Sequence, residues 1–313
     1  MTDYTKLIDA ETWAFIERTN SFYPPDTIDA TIDGQRAIYD RMCREFHAGH
    51  PDGIAVETTA IGTATHSIPI RIYTPTAAAP AALVLYFHGG GFVVGGLESH
   101  DDVCAELAKG SGCTVVSVDY RLCPEHVHPA AFDDAMAAFR WAADGQALPI
   151  LLAGDSAGGN LAAAVAHHTR GHPRAAIGQV LIYPGLGGDQ TRGSYVTHAE
   201  APMLSVRDID FYRDIRAGGA DITGDVSFAP LFDTDCSGLP PTVVVTAQCD
   251  PLSSDGEAYR DRILAAGGKA VSFEEAGLVH GYLRARHSVE RARQSFARIV
   301  AATASLAKGA WPY

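Results

Sequence analysis

The sequence predicts an α/β fold: a mostly parallel sheet of eight strands with helices on its faces. Three observations carry this. Residues 54–61 and 66–73 read as a hairpin; six short, continuous apolar runs follow it; and helical segments lie between most of those runs. Runs apolar at every position fit strands covered on both faces, as a parallel sheet with right-handed crossovers requires.

The hairpin is joined at Gly62. In its second arm Ile68, Ile70 and Ile72 share one face at period two, and Pro69 keeps that arm near a sheet edge. The apolar runs are Pro80–Phe87, Cys113–Tyr120, Pro149–Ala153, Ile177–Tyr183, Pro241–Ala247 and Lys269–Phe273. Ser99, with Asp101 and Asp102 in the first turn, opens one helix and Gly110 closes it. Pro129–Ala143 predicts a second, ending at Gly145; Asn160–Thr169 a third, stopped by Gly171; Ser254–Ala266 a fourth, stopped by Gly267. A long C-terminal helix is expected over about Arg284–Ala307. Two regions break this rhythm. Residues 1–50 are helix-like, with Trp13, Phe15, Phe22 and Tyr23, and Gly185–Gly219 carries Gly187-Gly188, Pro202-Met203-Leu204 and Phe211-Tyr212. Both are expected to pack as a lid over the strand ends, where ligands bind in such sheets.

At 313 residues and 47% hydrophobic content the chain buries a large core without disulfides, metal or partner. A net charge of −13 repels a phosphate backbone and excludes nucleic acid as the expected partner; it also gives no overall pull on anionic substrates. No apolar run approaches the length of a membrane span, and the acidic N-terminus, with Asp3, Asp9 and Glu11, has no secretory signal pattern. Six scattered cysteines without a CxxC pair read as buried, reduced thiols, so a cytoplasmic location is expected. His47 and His50 have no Cys or carboxylate cluster around them in the sequence, and neither a metal nor a cofactor is expected.

The chemistry starts at Ser156. Pro149–Ala153 runs as a strand into Gly154-Asp155-Ser156-Ala157-Gly158-Gly159 and then into the helical Asn160-Leu161-Ala162. A GxSxG turn between strand and helix exposes the serine hydroxyl, and side chains at the flanking glycines would collide across the turn. The free N–H groups of the following helix face any anion that forms there. The strand ending at Phe87 runs into His88-Gly89-Gly90-Gly91-Phe92, whose glycines let bare N–H groups converge. Gly90, Gly91 and Ala157 are the expected oxyanion donors, with His88 orienting the loop. A dinucleotide fingerprint fails, because its third glycine would fall on Val94. His280, in a loop after the last strand, is the candidate base, and Asp250, after the preceding strand, its orienting acid, with Glu274 and Glu275 as competitors. Asp119 is expected to pair with Arg121, and His126 and His128 to be solvated. The order Ser156, Asp250, His280 is that of an α/β-hydrolase.

With these residues in hand, the chain resembles the hormone-sensitive-lipase-like esterases, in the bacterial branch that carries GDSAGG. The resemblance rests on His88–Phe92, Asp119-Tyr120-Arg121-Leu122 with Pro124-Glu125-His126, Gly154–Gly159, Asp250-Pro251-Leu252 and His280-Gly281. It implies an α/β-hydrolase core with a helical cap: residues 1–50 as the N-terminal part of the cap, 51–184 and 221–313 as the core, and 185–220 as a cap insertion. It also implies hydrolysis of short- to medium-chain carboxylic esters without metal or cofactor. Cys123, Tyr282 and Cys249 depart from the usual pattern, and Tyr282 is expected to add a hydroxyl near the pocket. Candidate pocket residues are Phe92, Tyr183, Met203, Leu204, Phe211, Tyr212, Leu252 and Tyr282. A ligand-binding protein on an inactive hydrolase fold, or a hydrolase of lactones, amides or acetylated sugars, are the alternatives. The last strand, at the sheet edge, is the expected contact of a homodimer.

Overall fold

The computed structural model describes residues 2–24 and 30–313; expectations for 1–50 that fall on residues 1 and 25–29 lie outside the described residues. The chain opens with helices α1 (Ala10–Asn20) and α2 (Ile32–Phe46), capped by the side chains of Asp9 and Thr31. The hairpin follows as β1 (Ile54–Gly62) and β2 (Ser67–Pro75), then the alternation β3 (Leu83–Phe87), α3 (Asp101–Ser111), β4 (Thr114–Val118), α4 (Ala130–Gly145), β5 (Ile150–Asp155), α5 (Ala157–His168) and β6 (Gly178–Ile182). Helices α6 (Ser194–Thr197) and α7 (Val206–Ala217) interrupt it before β7 (Thr242–Cys249), α8 (Ser253–Ala265), β8 (Ala270–Val279) and α9 (Glu290–Ala307).

The strands form one sheet in the order β1-β2-β4-β3-β5-β6-β7-β8. β2 pairs antiparallel with both β1 and β4, and the remaining pairs are parallel. Every residue of β3, β4, β5 and β6 is buried, which is why these strands read as unbroken apolar runs. Alternate residues feed different cores: Leu83, Leu85 and Phe87 pack with α2, α4, α5 and α8, whereas Val84 and Tyr86 pack with α1, α3 and α9. All six cysteines are buried and unbridged. Among the described residues no helix is long and apolar enough to cross a membrane.

Several boundaries differ from the sequence expectation, each for a local reason. α3 runs through Gly110 and ends at Gly112, which holds the left-handed C-cap at φ 70°. Gly110 instead provides clearance, since a Cβ there would lie 2.6 Å from Val300 Cγ1 of α9. Ser99 caps a 3-10 turn (Leu97–His100) by bonding Gly96, and not α3 itself. α5 starts at Ala157, three residues earlier than the apolar pattern implied. β8 extends through Glu274 and Glu275 to Val279, and α9 starts only at Glu290, after a 3-10 turn over Tyr282–Ala285. Arg121 pairs with the buried Asp134 of α4 and not with Asp119. Burial without an ion pair raises the Asp119 carboxyl to about 6. His128 is not solvated: its Nε2 lies 2.9 Å from Asp225 Oδ2 and its ring packs edge-on to Phe228.

Candidate active site

Ser156 sits between β5 and α5 with φ 53° and ψ −116°, a backbone state that costs a non-glycine residue of order 1–3 kcal/mol. The turn closes because its neighbours lack side chains. A Cβ on Gly154 would lie 2.4 Å from the Gly158 carbonyl oxygen, and one on Gly158 only 1.8 Å from that of Phe87. The Ser156 N–H donates to the Ile182 carbonyl at 2.8 Å, fixing the bend to β6.

His280 directly follows β8. Its Nε2 lies 2.8 Å from Ser156 Oγ and its Nδ1 2.7 Å from Asp250 Oδ2. The other Asp250 oxygen accepts the Leu252 N–H at 2.9 Å, and the carboxylate is fully buried beyond the end of β7. An ionised carboxylate only accepts, so Nδ1–H donates to it and Nε2 is left to accept the serine proton. The competing acids are engaged elsewhere: Glu274 accepts from Ser253 Oγ and Glu275 pairs with Arg298.

The glycine loop after β3 is tied to the Ser156 turn by Asp155. Its Oδ1 accepts the Gly89 N–H at 3.0 Å and the Tyr86 hydroxyl at 2.8 Å, while Oδ2 lies 3.2 Å from His100 Nε2. Burial pushes this carboxyl up, but the His100 ring and the Tyr86 hydroxyl outweigh it and hold it well below the usual range. His88 is buried, stacked on Tyr120 with centroids 4.3 Å apart, and Nδ1 donates to the Gly89 carbonyl. Burial lowers its pKa to about 4, so it stays neutral and orients the loop. Gly90 and Gly91 take φ of 132° and 60°, and a Cβ on Gly90 would meet the Val94 carbonyl oxygen at 2.0 Å. Among the described residues the N–H groups of Gly90, Gly91 and Ala157 have no acceptor.

Two cavities meet at Ser156. The larger, about 510 Å³, runs between α1, α2 and α7 and is lined by Tyr183, Met203, Leu204, Phe211 and Tyr212 of the expected pocket residues. The smaller, about 270 Å³, is lined by Phe92, Leu204, Tyr212 and Leu252. Tyr282 lines neither. Its hydroxyl bonds Ser295 Oγ of α9 at 2.7 Å, so the sequence expectation for that hydroxyl is corrected. Sequence reasoning also passed over Asp155 as the tie between two loops, and over Arg284, which it placed inside the last helix. Arg284 instead lies on the 3-10 turn after His280 and lines the larger cavity. The signal for Asp155 was a charge inside an otherwise apolar strand end; nothing local marked Arg284.

His47 and His50 do gather a carboxylate, contrary to the sequence expectation: both Nε2 atoms reach Asp101 Oδ2, at 3.1 and 2.5 Å. Among the described residues these are the side chains whose donor atoms sit close enough to hold a metal ion. The same carboxylate also takes Arg71 Nη1 and the Tyr73 hydroxyl, each at 2.7 Å, and the guanidinium opposes a cation there. The cluster lines neither cavity.

Comparison with known proteins points to one family. A family described as alpha/beta hydrolase fold matches residues 84–284, well over half of the chain. The esterase LipI of Mycobacterium tuberculosis is 40% identical over 265 residues, covering 80% of this chain and 82% of that one. An ethyl acetate hydrolase of Pseudomonas putida is 34% identical over 251 residues, covering 76% and 78%. Among solved structures, the thermostable carboxylesterase EstE1 from a metagenomic library superposes with a TM-score of 0.84 at 36% identity, covering 91% of this chain and 99% of that one.

Proposed function

The chain belongs to the α/β-hydrolase fold family, and from that premise we propose that it is a serine carboxylesterase acting on short- to medium-chain esters through an acyl-enzyme on Ser156. The observation that carries this is the line Ser156 Oγ, His280 Nε2, His280 Nδ1, Asp250 Oδ2, with both gaps under 3 Å, beside three N–H groups that have no acceptor among the described residues. His280 takes the Ser156 proton as Oγ attacks the ester carbonyl carbon. The carbonyl oxygen, now negative, lies against the N–H groups of Gly90, Gly91 and Ala157. The C–O bond to the alcohol breaks, and His280 returns its proton to the departing oxygen. Water then attacks the acyl-serine, giving its proton to His280, and the acid leaves as Oγ is reprotonated. Asp250 holds the imidazole tautomer throughout.

Cavities of about 510 and 270 Å³ that meet at Ser156 suit acyl chains of roughly two to eight carbons. The N-terminal helices and the α6–α7 insertion act as the cap that forms them. The buried thiols suit a reducing cytoplasm. The β8 edge is the surface for a two-fold dimer, which light scattering reads directly. The test is hydrolysis of p-nitrophenyl esters from acetate to palmitate by the wild type and by Ser156→Ala. Turnover of the short esters is expected in the wild type and at least a thousandfold less in the variant. Wild-type turnover in Ser156→Ala would overturn the assignment, and preference for palmitate would overturn the chain length. A protein that takes no organophosphate adduct on Ser156 would be a binding protein instead.

A further inference from the structure

We propose that Arg284 makes the larger cavity an anion subsite, so that the preferred substrates are esters carrying a carboxylate of their own: half-esters of short dicarboxylic acids, or acylated hydroxy acids. This rests on the esterase reading above and adds a substrate class to it.

The other enclosed guanidinium groups of this chain are more fully partnered. Arg286 is answered by Asp102 and Glu106. Arg216 donates to the carbonyls of Phe228 and Ser227 and lies between the rings of Phe92 and Phe228, 3.7 and 4.2 Å from their centroids. Arg284 has much less. Nη2 donates to the Tyr39 hydroxyl, Cζ lies 4.9 Å from the Tyr39 ring centroid, and the Cys43 thiol, a weak acceptor, sits beside it. Nε is buried without an acceptor, and Nη1 has none among the described residues. No carboxylate lies within ion-pair distance of it among the described residues. A guanidinium stays charged at any working pH, so Arg284 is an enclosed charge without an ion pair among the described residues, feeling only the field of the more distant buried Asp155.

The cavity has no anion of its own to spare. Its two lining carboxylates are Asp155, saturated by Tyr86, Gly89 and His100, and Asp208, which caps α7 by accepting from Ser205. A second cation, Arg207, lies on the same wall, exposed and without an ion pair among the described residues. The cavity lining carries two cations against two carboxylates, but both carboxylates are engaged by neighbours while Arg284 Nε is buried without an acceptor. A planar carboxylate is the natural complement of the guanidinium fork. A ligand carboxylate on the Nε–Nη2 edge supplies the acceptor that Nε lacks. Arg284 follows His280 by one 3-10 turn, its N–H on the Gly281 carbonyl, which keeps the subsite close to the scissile bond.

The experiment compares monomethyl esters of succinate, glutarate and adipate with the corresponding dimethyl esters, measuring kcat/KM for wild type, Arg284→Gln and Arg284→Lys. The wild type is expected to prefer the anionic member of at least one pair. Arg284→Gln should lower the ratio of anionic to neutral kcat/KM at least tenfold, mainly through KM of the anionic ester, and Arg284→Lys should restore part of it. A ratio that Arg284→Gln leaves within twofold overturns the proposal, whatever the absolute rates, because a merely structural arginine lowers both members together. If Arg284→Gln does not fold, the wild type alone decides. Glutarate should inhibit hydrolysis of p-nitrophenyl acetate competitively and better than glutaramide, and equal inhibition by the two overturns the subsite. Failure of the esterase reading looks different: no ester of either charge would then be cleaved.

Discussion

Asp155 is the group whose removal best separates scaffold from chemistry. It is no member of the Ser156–His280–Asp250 line, yet it holds Gly89 of the donor loop against the turn that carries Ser156. Asp155→Ala would strip the acceptor from the Gly89 N–H, the Tyr86 hydroxyl and the His100 ring, and a longer bond from the Tyr183 hydroxyl, all buried. An orphaned buried donor costs roughly 1–3 kcal/mol, and these neighbours relax together, so a loss of about 4 kcal/mol in stability is expected. Asp155→Asn keeps an oxygen for Gly89 and Tyr86 and turns an amide toward His100, which accepts it in its other tautomer. Only charge assistance is lost, about 2 kcal/mol. Urea denaturation reads both numbers. In the same proteins, kcat on p-nitrophenyl acetate should fall in Asp155→Ala by roughly 10²–10³, the size of one lost oxyanion donor, with KM little changed. The asparagine variant should lose less than tenfold. If alanine and asparagine proved equally stable and equally active, the tie between the two loops would have no mechanical role.

Two further outcomes follow from the same geometry. Gly158→Ala places a methyl 1.8 Å from the Phe87 carbonyl oxygen, backbone that cannot yield cheaply; a stability loss of about 3 kcal/mol is expected, and a wild-type denaturation midpoint would refute the clearance argument. His88, lowered from 6.5 to about 4 by burial, takes up a proton in the unfolded chain before it does in the native one. Its contribution is therefore intact above pH 6.5 and is lost as pH falls toward 4, about 3 kcal/mol in all. His88→Phe, which keeps a ring on Tyr120, should flatten the acid limb of the urea midpoint against pH, and an unchanged limb would assign that sensitivity elsewhere.

Much of this architecture is visible before any coordinates. Strands β3 to β6 are buried on both faces, so burial itself wrote them as unbroken apolar runs, and the turn at Ser156 announced itself by glycines that sterics require. The residues the structure brings to Ser156, namely His280 and Asp250, were reachable because chain order and strand ends constrain which loops share an edge. What stayed hidden depends on contacts between distant elements. Gly110 looked like a helix stop because its partner, Val300, is far away in sequence. Asp119 two residues before Arg121 looked like an ion pair, but β4 ends at Val118 and the chain leaves the strand there, so that Arg121 reaches Asp134 of α4 instead. Arg284 has the composition of any surface helix residue; only the 3-10 turn that delays α9 turns it toward the cavity.

The roof of the cavity is held by contacts between distant parts of the chain. α2 carries Tyr39, whose partner Arg284 comes 245 residues later, and Arg36, which bonds Glu125 and the carbonyls of Val93 and Cys123. Contacts that span so much of the chain are slow to close, so the roof over Ser156 depends on the 3-10 turn that carries Arg284 being in place beneath it.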